Sequence, residues 1–374
     1  MSHAYTPGLR VTPRAVIRKP RLLPIPGEVL VTPGQRVTSA SIVARTHLPG
    51  KVHSVNVVNL LGVSPSELKT YMLKQEGDPV ERDEPLAENR PLLKWFRTRV
   101  PSPIRGTVES ISAVTGQVLL REPAVPLEVQ AYVDGQVVEV TPGQGAVVET
   151  TGALVQGIFG VGGETAGPLA MGVERPEERL TPERLRPEHR GAIVIGGALV
   201  TRESFARARE IGVRAIICGG LHDPDLRVLL GHDLGVAITG MEPIGFTLIV
   251  TEGFGSISMA RRTFDLLAAH AGHKASCNGA TQIRAGVIRP EVIIPQLQET
   301  ASEAPAAPPS SGLQAGDLIR LIREPYFGLL ARVRDLPQEL VGIATESRVR
   351  VLVAELPDGT LVTVPRANVE IIQG

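Results

Sequence analysis

The sequence contains little of what marks several common classes of protein. Only two of its 374 residues are cysteines, Cys218 and Cys277, which is too few for a disulfide framework and favours a reducing compartment. No apolar run approaches the roughly 20 residues that a membrane-spanning helix needs, and the N-terminus has no apolar signal core. We therefore expect a soluble, cytoplasmic protein with no membrane partner.

Neither sign of charge is in excess. Lysine plus arginine number 39, as do aspartate plus glutamate, so the formal net charge is +0. The whole chain therefore has no general attraction to nucleic acid, and such a partner would need a local basic patch. Aromatic residues make up only 3% of the chain against 43% hydrophobic residues, so its cores must be built from Val, Ile, Leu and Ala. The length predicts about two to four domains.

A central stretch alternates between short apolar runs and segments of helix length. One apolar run ends in Gly196-Gly197 and the next ends in Gly219-Gly220. Between them Thr201 can cap a helix that Gly212 ends. Apolar strands separated by amphipathic helices predict a Rossmann-like parallel α/β domain over residues 191–296. In such a sheet, ligands bind beyond the carboxyl ends of the strands.

The N-terminal half contains an internal near-repeat of short alternating strands joined by glycine turns. Residues 27–35 match residues 135–144 with one residue of slack, and residues 106–117 form a weaker third copy. Short strands at this spacing predict a small antiparallel barrel or sandwich over residues 22–170. A Pro-containing helix start at Ser64 predicts a helical insertion near residues 64–76.

Two segments of this half, Val29 to Arg45 and Ser102 to Leu120, resemble the barrel-sandwich hybrid fold of biotinyl and lipoyl carrier domains. That fold is also embedded in large subunits of RNA polymerase and in Rnf/Nqr-type electron-transport subunits. A carrier domain presents its modified lysine in a hairpin turn. The corresponding turns here, residues 32–34 and 134–135, contain no lysine. We therefore expect no covalent biotin or lipoate, and no other cofactor.

The last sixty residues or so resemble a KOW domain, the SH3-like barrel of NusG-type elongation factors and some ribosomal proteins. The shared features are the opening Gly316-Asp317, the Pro-aromatic-x-Gly turn at residues 325–328, and the closing run at residues 364–370. The resemblance implies binding of RNA or protein of the transcription or translation machinery. The residues that it implicates are Arg323, Tyr326, Phe327 and Arg332.

The charge of this C-terminal segment bears on the nature of the partner. From Leu313 to Gly374, seven arginines and no lysine stand against eight acidic residues, a net charge of −1. A module that owes its affinity to phosphates should be basic, so protein is at least as good a partner as RNA. A second candidate contact is a cationic run with two aromatics, read either as a stacking groove or as core aromatics with solvated cations. Its central residues are Lys94, Trp95, Phe96 and Arg97.

The sharpest local signal is a strand, a Gly-x-Gly turn and a predicted amphipathic helix over residues 247–267. We expect Ile257 and Ala260 to lie on the apolar face of this helix, whose N-terminus would suit a small anion or phosphate. A later polar run interrupts a predicted buried strand, and its side chains are expected to meet the turn at the switch point. The candidate anion-binding residues are Glu252, Gly253, Gly255, Ser256, Asn278, Gln282 and Arg284.

Each of these features has a simpler interpretation. Tight packing of helix on sheet explains both glycines without a ligand. Cys277 would need a base such as His270 or His273 to act as a nucleophile, and a structural cysteine is the alternative. The dipeptides His222-Asp223 and His232-Asp233 lack a recognised ligand spacing, so we predict no metal site. We predict no catalytic residue either.

The predicted fold class is a multidomain β plus α/β protein. Its segments are a basic Pro-rich arm (1–21), a barrel-sandwich hybrid domain (22–170), a charged linker (171–190), a Rossmann-like domain (191–296), a flexible linker (297–315) and an SH3-like KOW barrel (316–374).

Three functions are compatible with these features. The first is a non-catalytic adaptor that uses the KOW module to contact RNA or protein of the transcription or translation machinery. The second is a sensor or enzyme that binds a small anion in the α/β crevice. The third is an accessory subunit or maturation factor of a cofactor-dependent or electron-transfer enzyme, although the chain has no cysteine cluster for an iron–sulfur centre.

Overall fold

The computed structural model describes residues 9–89, 98–231, 242–281, 288–296, 313–321, 325–326, 329–337, 340–342 and 348–371. Within these ranges the chain is mostly β and forms several sheets, with short helices concentrated in the central block. The predicted class of a β-rich, multidomain-like chain is therefore confirmed at this level. Among the described helices, none is both long and apolar enough to cross a membrane.

The described residues of the N-terminal half form thirteen strands and two short α-helices. In chain order they are β1 (Val11–Leu22), β2 (Glu28–Val29), β3 (Arg36–Val37), β4 (Ile42–Leu48), β5 (Val52–Asn56), α1 (Val57–Leu61), α2 (Leu68–Tyr71), β6 (Pro79–Val80), β7 (Pro85–Glu88), β8 (Arg99–Pro101), β9 (Gly106–Ile111), β10 (Gln117–Arg121), β11 (Val125–Gln130), β12 (Gly135–Thr141) and β13 (Gly145–Gln156).

The segment predicted to be a basic arm is instead, from Val11 onward, a long strand. β1 pairs antiparallel with β13 from Val11 opposite Val155 to Leu22 opposite Gly145. This strand was not predicted because its prolines and clustered cations are typical of an irregular segment. Both are nevertheless tolerated on an edge strand. Three of its cations form ion pairs with the body of the protein, so the segment is part of the folded structure and not a separate arm. These pairs are Arg18 with Glu149, Lys19 with Glu291, and Arg21 with Glu164.

A small subdomain is inserted between two neighbouring strands of this half. β4 pairs with β11 across the insertion, from Leu48 opposite Val125 onward. The intervening residues build a separate four-stranded sheet, β5-β10-β9-β6, with its own apolar core. The predicted helix near residues 64–76 is present as a one-turn 3-10 helix, Pro65–Glu67, followed by α2. α1 is an additional helix that the sequence pattern did not predict.

The described part of the central block combines parallel strands with three α-helices. Its elements are β14 (Phe159–Val161), β15 (Glu164–Met171), β16 (Arg179–Leu180), β17 (Ile193–Ile195), β18 (Leu199–Val200), α3 (Arg202–Ile211), β19 (Ala215–Leu221), α4 (Asp223–Leu230), β20 (Thr247–Phe254), α5 (Arg261–Ala269), β21 (Lys274–Asn278) and β22 (Glu291–Pro295).

The expected alternation of strands and helices is present in this block. β15, β17, β19 and β20 are parallel neighbours. α3 follows Thr201 and buries Phe205, Ala208 and Ile211, which recur at helical spacing. It ends at Gly212, whose φ of 82° lies in the left-handed region that a C-terminal glycine adopts without strain.

The sheet does not stop at the predicted boundary between the two halves. Its hydrogen-bonded order is β14-β20-β19-β17-β15-β21-β22-β13-β12-β3. β15 lies in the segment assigned to the N-terminal domain, yet it pairs with β17 on one side and with β21 on the other. β13 pairs with β22 in the same way. The two regions therefore share one continuous sheet, although each has its own apolar core.

The glycine-rich run at residues 157–164 is part of this sheet. β14 pairs antiparallel with β20, and the turn that follows contains Gly162 and Gly163, both with positive φ. A side chain on Gly162 would overlap the backbone carbonyl of Phe246. The run therefore serves as a strand and a tight turn rather than as a dinucleotide loop.

The C-terminal module has its own sheet and its own core. Its strands are β23 (Leu318–Leu321), β24 (Leu330–Asp335), β25 (Leu340–Gly342), β26 (Arg348–Glu355), β27 (Leu361–Pro365) and β28 (Val369–Ile371). They are antiparallel in the order β25-β26-β24-β23-β28, with β27 also paired to β26. The core includes Ile319, Val333, Leu352, Val364 and Val369.

Candidate functional site

The predicted anion site lies where the parallel strands of the central block end. The loop after β20 packs directly on the end of β19. A side chain on Gly219 would overlap the carbonyl oxygen of Ile257, and one on Gly220 would overlap that of Gly255. Gly219 and Gly220 are therefore needed for the close approach of two backbone segments, and packing explains them without a ligand.

The helix after this loop begins later than the sequence pattern predicts. α5 starts at Arg261, so Ile257 and Ala260 precede it instead of lying on its apolar face. The N–H of Ala260 donates a hydrogen bond of 3.0 Å to Oε1 of Glu252. The chain therefore places one of its own carboxylates at the start of α5, where we expected a bound anion.

The second oxygen of Glu252 is bound by the C-terminal module. Nη2 of Arg320 lies 2.8 Å from Oε2 of Glu252, and Nη1 of Arg320 lies 2.7 Å from Oε1 of Glu370. Nη2 of Arg289 is 2.7 Å from Oε2 of Glu370, a close ion pair that is not aligned as a hydrogen bond. We call these four residues the charge array. It links a carboxylate, a guanidinium, a carboxylate and a guanidinium in that order.

The position of Arg320 in its strand shows why the array is buried. Side chains alternate along a strand, so Leu318 and Arg320 point to one face while Ile319 points into the core of the module. Glu370 lies directly opposite Arg320 on β28 and therefore shares its face. On this outer face Leu318 is 37% exposed but Arg320 only 2%. The ion pair with Glu252 identifies the cover as the end of the α/β block.

The array balances its own charge. Two carboxylates and two guanidinium groups sum to zero, and each carboxylate contacts at least one guanidinium. Such balance is required because an unpaired buried ion costs several kcal/mol. The arrangement orients one domain on another, and it leaves neither oxygen of Glu252 without a partner.

The remaining predicted anion-site residues are not all gathered at this point. Gly253 and Gly255 adjoin Glu252, and Ser256 is exposed on the following loop. Asn278 is at the end of β21, where its side chain contacts Glu164 on β15 and not Glu252. Gln282 and Arg284 lie outside the described residues.

Asn278 belongs instead to a polar cluster that joins β1 to the central sheet. Its Nδ2 is 3.5 Å from Oε1 of Glu164. The carboxylate of Glu164 also accepts two hydrogen bonds of 2.7 Å from the guanidinium of Arg21. The Arg21 guanidinium carbon lies 5.4 Å from the ring centroid of Tyr132. Tyr132 has a φ of 70°, and its hydroxyl is 3.4 Å from Oε1 of Glu291.

Burial dominates the chemistry of Tyr132. It raises the pKa of Tyr132 well above its usual value, and the nearby Glu291 carboxylate adds to the effect. The partners in this cluster come from strands far apart in the sequence, which is why no local pattern predicted it. Its ion pairs and hydrogen bonds link four strands, β1, β15, β21 and β22, which is a structural role.

The two cysteines are buried thiols. Burial raises the pKa of Cys218 to about 12, and burial followed by the nearby Glu291 carboxylate raises the pKa of Cys277 still further. A nucleophilic cysteine needs a lowered pKa, so the structural interpretation is favoured for both. Both ring nitrogens of His270 form hydrogen bonds, one with the Leu266 carbonyl and one with the side chain of Gln296. The described part of the chain contains no group of three or more metal-ligating side chains.

The predicted partner-binding residues are only partly described. Lys94, Trp95, Phe96, Arg97, Arg323 and Phe327 lie outside the described residues. Tyr326 is half-buried and packs against the core of the C-terminal module. Arg332 is exposed on β24, and its Nη1 donates a hydrogen bond of 3.2 Å to the Gly316 carbonyl.

Arg332 belongs to a row of side chains on the outer face of the module. Leu318, Arg332, Glu355 and Leu361 lie directly opposite one another on β23, β24, β26 and β27. Opposite residues share a face of the sheet. We call these four residues the exposed row. The two leucines at its ends are 37% and 62% exposed, while Arg334 forms an ion pair with Glu355 beside it.

Comparison with known proteins does not assign this chain to a family. No protein-family model matches the chain, and no curated protein matches it either. A function has to be inferred from the charge array, the exposed row and the resemblances in the sequence.

Proposed function

We propose that this chain is a non-catalytic accessory factor that binds a protein of the transcription or translation machinery through its C-terminal module. The observation that supports this most is the ion pair between Arg320 and Glu252, at 2.8 Å. It places the module over the end of the α/β block where a small ligand would otherwise bind. In this account the block serves as a platform that orients a binding module.

The finer fold assignments are part of this proposal. The C-terminal module would be an SH3-like KOW barrel, which its short antiparallel strands around a single apolar core support. The N-terminal region would be a barrel-sandwich hybrid with an inserted lobe, and the central block a Rossmann-like domain whose sheet continues into that region. A KOW barrel implies binding of RNA or protein rather than turnover of a substrate.

Several arginines of the module are used internally, which favours a protein partner over RNA. Arg320 is bound within the charge array, and Arg334 is paired with Glu355. Arg366 donates hydrogen bonds of 3.0 and 2.8 Å to the carbonyls of Val351 and Pro337. The segment from Leu313 onward already has a net charge of −1. Arg320 and Arg366 are therefore bound within the protein, and the charge of Arg334 is already paired, which leaves fewer cations for the phosphate contacts on which RNA affinity depends.

The exposed row has a composition that suits a protein surface. It has one exposed leucine at each end and an arginine and a glutamate between them. Protein interfaces combine an apolar centre with a few charged contacts, and arginine is enriched among the residues that dominate their binding energy. We therefore assign the exposed row as the centre of the binding surface.

The small-anion alternative has less support. Both oxygens of Glu252 already have partners in the docked structure, and the carboxylate itself would repel an anion at the start of α5. The electron-transfer alternative depends only on the barrel-sandwich resemblance, because the described residues add no feature that favours it.

Affinity capture from an extract of the source organism tests the proposal. The full chain is compared with a version that ends at Gln296, each with and without nuclease. We expect ribosomal or polymerase proteins with the full chain, their loss on truncation, and no effect of nuclease. Identical recoveries with the two baits would contradict the proposal, whereas nuclease-sensitive recovery would identify RNA as the partner instead.

A further inference from the structure

We propose that the C-terminal module is a lid that the charge array holds closed over the end of the α/β block, and that it opens as a unit when the array is broken. This inference does not depend on the proposed function, because it concerns only the contact between two parts of one chain. It predicts a docked state in the intact protein and a released state when the array is broken.

The module does not share an apolar core with the body. Its buried cluster is formed entirely by residues from Ile319 onward, while the cluster of the α/β block ends at Ile294. A module with a core of its own can remain folded after it leaves its docking surface. Opening therefore requires loss of the interface alone, not unfolding.

The described polar contacts between module and block are ionic. Arg320 reaches Glu252 and Glu370 reaches Arg289, at 2.8 and 2.7 Å. Buried ion pairs contribute little net stability, because desolvation offsets most of the attraction. Such contacts nevertheless enforce one orientation, since removal of either partner leaves a buried charge.

Among the described residues, the hydrogen bonds of the charge array are incomplete in the closed state. Nε of Arg320 is buried and has no hydrogen-bond partner among the described residues. A buried donor left in this way costs free energy that water would recover on opening. The closed state is therefore held by specific charges while part of its buried polar surface favours release.

Opening would change the end of the α/β block. The carboxylate of Glu252, now shared between Arg320 and the N–H of Ala260, would face solvent beside Ser256. Glu370 and Arg320 would become an exposed cross-strand pair next to Leu318, which would extend the exposed row. Opening of the lid would therefore expose Glu252 and enlarge the exposed row at the same time.

Single-molecule energy transfer in the purified full chain tests this inference. Dyes are placed on V228C and D358C, one on the exposed surface of α4 and one in the turn before β27, and the buried native thiols remain unlabelled. The variants are Arg320→Met, Glu252→Arg and Glu252→Gln. The matched control is Arg334→Met, which breaks an exposed ion pair of the same module.

We expect one narrow distribution of transfer efficiencies for the parent protein and for Arg334→Met. Arg320→Met and Glu252→Arg should reduce the docking equilibrium constant on the order of a hundred-fold and give a broad distribution. Glu252→Gln, which keeps the acceptor for Ala260, should give a smaller broadening. Thermal unfolding of each variant identifies any substitution that unfolds a domain. Because Arg320 and Glu252 lie in different domains, unfolding of one domain could not explain the same result for both variants. Narrow distributions for both folded charge variants would overturn the proposal.

Discussion

Replacing Arg320 with methionine removes the guanidinium that lies between two buried carboxylates. Methionine keeps most of the length of the side chain, so the change mainly deletes charge. Breaking a buried ion pair by removing one partner costs about 3–5 kcal/mol. We expect a value near the lower end, about 3 kcal/mol, because Glu370 keeps Arg289 and Glu252 keeps the N–H of Ala260.

Native-state hydrogen exchange is the appropriate assay, because a chain with several cores is not expected to unfold in one step. The amide of Ala260, which is bound to Glu252 under the module, becomes accessible to solvent on opening, while the amides of β23 and β28 report on unfolding of the module itself. Arg334→Met is the control, since Arg334 is 56% exposed and its ion pair with Glu355 should contribute less than about 1 kcal/mol. A selective loss of protection in Arg320→Met is the expected result.

A double-mutant cycle separates the ion pair from other effects of the substitution. Glu252→Gln and Arg320→Met are combined, and the interaction energy between them is expected to be at least about 1 kcal/mol. The cost of the second change should fall once the first has been made, because the partner charge is already gone. Additive costs, or equal costs for Arg320→Met and Arg334→Met, would refute the reasoning.

Three further predictions concern other parts of the chain. Burial raises the pKa of Cys218 to about 12 from its usual 9.0, so this thiol contributes stability that is complete below pH 9 and is lost as the pH rises toward 12. Cys218→Ala should flatten that alkaline decline by up to about 1.4 kcal/mol per pH unit in urea titrations, and an unchanged slope would contradict it. Gly220→Ala should cost more than 3 kcal/mol, on the order of a core overpacking change, because it overlaps the Gly255 carbonyl. Gly272→Ala, with open space and a φ of 85°, should cost only about 1 kcal/mol in the same denaturation assay. Deletion through Leu22 should abolish cooperative unfolding of the body by exposing the edge of β13, whereas a dispensable arm would leave the melting curve unchanged.

Local patterns predicted the parts of the fold that depend on local chemistry. The apolar runs of β17, β19 and β20 and the cap and stop of α3 follow directly from periodicity and glycine placement. β1 escaped prediction because two prolines and several cations on an edge strand resemble an irregular arm. The start of α5 was placed too early because residues 257–260 precede the helix, and the N–H of Ala260 is bound by Glu252, a residue of the preceding strand and not of the loop.

The charge array could not be predicted from the sequence. Arg320 and Glu252 are separated by 68 positions, and neither occurs in a motif that specifies the other. The one available signal was the alternation along β23, where a charged residue occupies an outer position beside an exposed leucine. That pattern indicates a surface but does not show that another domain covers it.

The central claim is that the exposed row binds a protein partner. The most direct measurement is affinity capture from the source organism with the full chain, Arg332→Glu, Leu361→Asp and the control Arg202→Glu, which alters an exposed arginine at the start of α3. Nuclease is present throughout. The account predicts that the first two variants lose the same set of proteins that the parent and the control retain. Equal recovery of those proteins by all four would contradict it.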